Sequence, residues 1–104
     1  MTADVDGGSP VAPVAAGAAS SAVVVRNAQG MHLRPATEFA RLALSTGCRV
    51  RVRTAGADAN GTSVLELAML GIAQGATLQI SAEGPGAEAA VRALVALVDN
   101  GFVV

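Results

Sequence analysis

Apolar and polar positions along this chain change period several times, and each change marks an element. Ala22 to Arg26 is a β-branched run that stops at Asn27 and reads as a strand. Asn27 to Gly30 are turn residues. From about Leu33 to Ser45 the apolar residues Ala36, Phe39, Ala40, Ala43 and Leu44 recur at helical spacing, and Gly47 follows where a left-handed cap residue is wanted. Cys48, Val50 and Val52 then alternate with Arg49, Arg51 and Arg53, a period of two with one apolar and one charged face. Such a strand belongs to a sheet covered on one side and wet on the other, so the three arginines are expected on a solvated face rather than on an anion-binding surface.

Thr54 to Gly61 is rich in turn residues, and any strand there is short and weakly marked. Ser63 to about Ile72 reads as a short helix opened by a Ser-x-x-Glu capping box, with Glu66 expected to reach back to the start of the helix. Ala76 to Ala82 is a strand with Leu78, Ile80 and Ala82 on one face, and Glu83 to Gly86 turns the chain. A last helix spans Ala87 to Asp99 with Ala90, Val91, Leu94, Val95 and Val98 as its buried stripe. Strands and helices in this order, with short connections, predict an antiparallel sheet with helices packed on one side, a two-layer α+β sandwich.

Residues 1 to about 20 have a different character: Ala, Gly, Pro and Ser dominate, which predicts a flexible tail ahead of a folded domain over 21–104. Val11 to Ala19 is rich in small apolar residues, but Asp4 and Asp6 precede it where a secretory signal needs positive charge. No run approaches the eighteen or so apolar residues of a membrane span, and the single Cys48 fits a reducing compartment, so a cytoplasmic protein without a membrane role is expected. The formal net charge of −1 argues against a general nucleic-acid binder. Aromatic residues are 2 % of the chain, Phe39 and Phe102, so the core has to come from Val, Leu, Ile, Ala and Met.

One histidine and one cysteine cannot build a metal site, and neither a nucleophile elbow nor a Gly-x-x-x-x-Gly-Lys phosphate loop is present. The chemistry concentrates instead in Gly30-Met31-His32-Leu33-Arg34-Pro35-Ala36, between the first strand and the first helix. Gly30 permits a close backbone approach. Pro35 is tolerated early in a helix, where its missing N–H would have no partner. His32 then falls at the helix N-terminus, where free amides and the positive end of the helix dipole favour a phosphate. A neutral imidazole is a competent nucleophile, and the planar guanidinium of Arg34 suits phosphate oxygens. Blander roles are open to the same residues: His32 as a cap or surface residue, Arg34 as the i+4 partner of Glu38, and Met31 as a staple on the first turn.

The segment resembles the active-site signature of the HPr family, phosphocarriers of the phosphoenolpyruvate-dependent phosphotransferase system. The resemblance runs from about Ala22 to Phe102 and includes a second motif, Asn60-Gly61-Thr62-Ser63-Val64-Leu65-Glu66-Leu67-Ala68-Met69-Leu70-Gly71, similar to that family's regulatory-serine region. Ser63 follows His32 by 63 − 32 = 31 positions, in keeping with the family's spacing. The resemblance implies an open-faced β-sandwich, a four-stranded antiparallel sheet with three helices on one face. It implies a carrier rather than an enzyme, without a cofactor and acting as a monomer. His32 would take a phosphoryl group on Nδ1 from an Enzyme I-like protein and pass it to EIIA-type acceptors. Arg34 would hold the phosphate oxygens. Ser63 matches a serine that HPr kinase/phosphorylase modifies in some members, and Val64, Leu65 and Ala68 match positions that dock partners.

Two departures stand out. Leu33 replaces a small or hydroxyl residue beside the phosphate, and Thr62 stands where many members have Lys before the serine. Glu83-Gly84-Pro85-Gly86 and Asp99-Asn100-Gly101-Phe102 resemble the nitrogen-type branch, NPr, in which the same carrier chemistry serves regulation rather than sugar uptake. Two readings of other classes compete: a ligand-binding α+β regulatory module with a structural His32, and an interaction domain that has lost phosphotransfer.

Overall fold

The computed structural model describes residues 17–102; of the tail expected over residues 1–20, positions 1–16 lie outside them and Ala18–Ser20 are strand. Seven elements follow one another: β1 (Ala18–Val24), α1 (Leu33–Ser45), β2 (Arg49–Thr54), β3 (Ala57–Asn60), α2 (Val64–Met69), β4 (Thr77–Glu83) and α3 (Ala87–Asp99). The strands form one antiparallel sheet in the order β1-β4-β2-β3. The three helices cover one face, and the α+β open-faced sandwich expected from the sequence is the fold.

The period of two in the strands decides which face is covered. Val23, Val50, Val52, Leu78, Ile80 and Ala82 are buried beneath the helices, and Val52 sits opposite both Ile80 and Ala59. Arg49, Arg51 and Arg53 line the open face, where Arg49 pairs with Glu83 at 3.7 Å and Arg51 with Asp58 at 3.0 Å. The hydrogen bond from Arg51 holds the Asp58 carboxyl below its ordinary range, outweighing the opposing desolvation. The arginines therefore belong to a solvated, mostly ion-paired face.

Several boundaries differ from those expected, β4 by one residue at each end, since it runs Thr77–Glu83 rather than Ala76 to Ala82. β1 starts at Ala18, not Ala22, because Ala18, Ala19 and Ser20 pair with Glu83, Ala82 and Ser81 of β4. These small residues have little strand preference of their own, and the ladder of the neighbouring strand supplies the order. The regular strand ends at Val24, although Val25 extends the pairing through its N–H to Ala76 O at 2.9 Å. α2 ends at Met69, three residues short of Ile72, and Ile72 is buried in the chain that follows.

The weakly marked strand exists as β3, joined to β2 by a two-residue turn in which Ala55 (φ 49°) and Gly56 (φ 80°) both take positive φ. Gly47 (φ 72°) caps α1 as anticipated. The buried stripe of α1 is Pro35, Ala36, Phe39, Ala40 and Ala43, while Leu44 is 70 % exposed. Leu44 lies about 100° round the helix from Ala43, and the stripe is turned toward Pro35 instead.

Candidate functional site

Two hydrogen bonds and one buried side chain fix the chain that enters α1. The turn from Asn27 closes with Gly30 N–H on Asn27 O at 3.0 Å, and Met31 N–H donates to Ile72 O at 3.1 Å. Gly30 has φ 66°, and a Cβ placed on it would collide with the carbonyl oxygen of Ile72, so the close approach expected of this glycine is present. Met31 is buried in the core, which makes it an anchor for the residue that follows. The backbone of His32 is thereby delivered to the surface at the mouth of α1.

His32 is the N-cap of α1, with φ −84° and ψ −165°. Its carbonyl accepts the first intrahelical bond, from Ala36 N–H at 2.9 Å, and its side chain makes no capping bond. The exposed imidazole is therefore not spent on the cap, which removes one bland reading of this residue. Ahead of Ala36, the amides of Leu33 and Arg34 have no carbonyl one turn back, and Pro35 carries no N–H to satisfy. Two donors and the positive end of a thirteen-residue helix thus stand free at the N-terminus that His32 opens.

Arg34 occupies the second position of α1 and is exposed. The ion pairs among the described residues are Arg26–Asp99, Arg49–Glu83 and Arg51–Asp58, so the alternative pairing of Arg34 with Glu38 is not formed. No described group of three or more His, Cys, Asp or Glu residues could hold a metal. What the site can do chemically is offer an exposed imidazole nitrogen at an amide-rich helix end, with a guanidinium two residues on that pairs with no described carboxylate.

Ser63 lies elsewhere. It caps α2, accepting from Glu66 N–H at 3.2 Å, whereas the Ile72 carbonyl that touches the His32 loop is beyond the other end of that helix. Six residues of helix separate the ends by about 9 Å. The capping box is half formed as written: Glu66 Oε1 accepts from Asn60 N–H at 2.8 Å rather than from Ser63 N–H, which bonds to Asn60 O at 3.1 Å. Asn60 Oδ1 also accepts from Thr62 N–H at 3.0 Å, so the turn before the helix satisfies itself and takes up the glutamate.

Of the three expected docking positions, only Leu65 projects, at 70 % exposure, while Val64 and Ala68 are partly buried against the core. Met69, one turn after Leu65 and 75 % exposed, completes the apolar face that α2 shows to solvent and was missing from the expected set. The i, i+4 spacing from Leu65, opposite the buried Leu67, was the signal for it. Leu33, beside His32, is 66 % exposed.

The surface chemistry of this small α+β domain is thus an exposed histidine at a helix N-cap, with two free amides and an arginine following it in the chain. Residues 19–100 match the family model for the PTS HPr component phosphorylation site. The phosphocarrier protein HPr of Vibrio cholerae is 41 % identical over 71 residues, covering 68 % of this chain and 84 % of that protein. The phosphocarrier protein NPr of Escherichia coli K12 is 37 % identical over 81 residues, 77 % of this chain and 90 % of that one. Crystal structures of HPr from Thermoanaerobacter tengcongensis (TM-score 0.77, 31 % identity, covering 81 % of this chain and 94 % of that one) and Bacillus anthracis (0.74, 30 %, 78 % and 96 %) share the fold. The chain belongs to the HPr family of phosphotransferase-system phosphocarriers, whose members are carriers rather than catalysts.

Proposed function

We propose that this protein receives a phosphoryl group on His32 Nδ1 from a phosphorylated Enzyme I-like donor, supplied ultimately by phosphoenolpyruvate, and passes it to an EIIA-type acceptor. The observation that carries this reading is the N-cap position of His32, exposed and without a side-chain capping bond, at the amide-rich end of α1. In the transfer the imidazole lone pair forms the N–P bond as the bond from phosphorus to the donor breaks. The reverse exchange delivers the group to the acceptor. In this reading the amides of Leu33 and Arg34 and the Arg34 guanidinium take the phosphate oxygens and compensate the added charge in both the bound and the transferring state. No described helix is long and apolar enough to cross a membrane, and the proposed relay runs between cytoplasmic proteins.

The reading is tested by reconstitution with phosphoenolpyruvate, an Enzyme I and an EIIA acceptor: label should reach the acceptor only when this chain is present. Arg34→Ala should slow transfer about tenfold, roughly 1.4 kcal/mol of lost transition-state stabilisation, read in single-turnover kinetics. Wild-type rates in both directions would make Arg34 a plain surface residue.

A second reading within the same chemistry places the chain in the nitrogen-type regulatory branch. The resemblance of Glu83–Gly86 and Asp99–Phe102 to NPr supports this reading, together with the 37 % identity to NPr over 81 residues. Comparing phosphorylation by sugar-type and nitrogen-type Enzyme I proteins separates the two.

Ser63 is proposed as a regulatory position through its neighbourhood with Leu65 rather than with His32. A phosphate on a helix N-cap is compatible with the helix, and its charge would oppose an acidic or apolar partner face. Ser63→Asp should weaken phosphorylation of His32 by Enzyme I with stability within about 1 kcal/mol of wild type. Ser63→Ala should cost about 1 kcal/mol through the lost cap and leave transfer nearly unchanged. Equal phosphorylation rates for Ser63→Asp and wild type would leave Ser63 a helix cap only.

A further inference from the structure

The peptide unit joining Gly30 to Met31 is held at both ends. Its carbonyl oxygen accepts from Asn27 Nδ2 at 2.5 Å, and its N–H donates to Ile72 O at 3.1 Å. A peptide is planar, so two bonds on opposite edges fix the orientation of the whole unit. The next rotatable bonds belong to Met31, whose side chain is locked in the core. After them comes His32. The direction in which the imidazole leaves the surface is thus set by a plane that Asn27 grips from one side.

Asn27 is itself held in place. Gly30 N–H bonds to its carbonyl at 3.0 Å, and Gly101, just after α3, lies close enough that a Cβ there would stand 3.9 Å from Asn27 Cβ. The preceding residue, Arg26, is tied to Asp99 of α3 at 2.7 Å and receives Gln74 Nε2 on its carbonyl at 2.9 Å. The other half of the Asn27 amide is spent differently, because Oδ1 is buried with no partner. Burying an acceptor unsatisfied is unfavourable, and this offsets what the Nδ2 bond contributes to stability. The residue therefore adds little to the fold while fixing the geometry of one peptide.

Building on the carrier reading above, we infer that Asn27 is a positioning residue for phosphoryl transfer: its side-chain N–H holds the Gly30–Met31 peptide so that His32 is presented in the orientation that receives the phosphoryl group. It touches neither the phosphate nor the partner. Its loss should therefore lower the saturated transfer rate and leave binding of the phosphorylated donor alone. Small misplacements of a reacting group cost on the order of ten- to a hundred-fold in rate.

The test measures single-turnover phosphorylation by phospho-Enzyme I over a range of donor concentrations, with thermal unfolding of each protein alongside. Asn27→Ala removes both the donor and the orphaned acceptor. Asn27→Asp keeps the shape and removes the donor. Both should show a saturated rate about tenfold below wild type, with an unchanged half-saturating concentration. Thr46→Ala, which deletes a comparable bond to Ala43 O at the opposite end of α1, should keep the wild-type rate. The inference is overturned by a wild-type saturated rate in either Asn27 variant, by a loss confined to half-saturation, or by an equal loss in Thr46→Ala. Failure of Asn27→Ala to fold also overturns it, since a residue that serves only the loop is not required by the core. If wild type itself takes no phosphate on His32, both the carrier reading and this inference fall. If wild type is phosphorylated there and the variants match it, the inference alone falls.

Discussion

His32→Ala is expected to accept no acid-labile phosphate from phosphoenolpyruvate and Enzyme I, while melting as wild type does. The two halves of this expectation have separate causes. His32 is the only histidine of the chain, so no second imidazole can substitute for it. Its side chain is exposed and makes no capping bond, so truncation removes neither packing nor a hydrogen bond from the fold. The backbone carbonyl that accepts from Ala36 N–H is retained in the alanine variant. Stability should accordingly stay within about 0.5 kcal/mol of wild type, as for other surface substitutions. Label on the variant that is lost in acid would remove His32 from its assigned role.

Gly30→Ala should have the largest effect on stability of any single substitution near the site. Two costs coincide. An alanine at φ 66° is strained, and its Cβ would drive into Ile72 O and lie 2.9 Å from Ala73 Cα. Both obstacles are backbone, so no side chain can rotate out of the way. Relief requires the 72–73 segment to move, which breaks the Met31 N–H bond to Ile72 O. The combined loss is about 2–4 kcal/mol in urea unfolding, and phosphorylation of the folded fraction should fall with it because the loop that presents His32 has shifted. A change below about 0.5 kcal/mol would show that the approach of Gly30 to Ile72 is looser than the structure places it.

The sequence disclosed these two residues for different reasons. Glycine, histidine, arginine and proline in that order carry chemistry in their identities, and a helix entrance is one place where all four fit. The period of two in Arg49 to Arg53 likewise told which face of the sheet is wet, because side-chain direction in a strand depends only on parity. Other features depended on neighbours that lie far along the chain. Ala18 to Ser20 are ordered by β4, some sixty positions away, and nothing in their own character announces a strand. Leu44 continues the helical period of α1 yet faces solvent, because the buried stripe is the face carrying Pro35, Phe39 and Ala43. Ala55 takes a positive φ that alanine avoids, and the hairpin it closes was therefore faint. At α2 the amphipathic pattern was readable, but which side meets the core had to be seen: Val64 and Ala68 turn inward, and Met69 joins Leu65 outside. The part played by Asn27 was hidden in the same way, since it acts through carbonyls and an amide that no sequence pattern displays.

In the proposed relay one atom of this protein, His32 Nδ1, carries the phosphoryl group. The most direct test is to phosphorylate the ¹⁵N-labelled protein with phosphoenolpyruvate and a catalytic amount of Enzyme I, and to record proton–nitrogen and phosphorus spectra at alkaline pH. A single phosphoramidate signal coupled to His32 Nδ1, stable in base and lost in acid, is the expected result. Phosphate on Nε2, on a hydroxyl such as Ser63, or on no residue of the chain would contradict it.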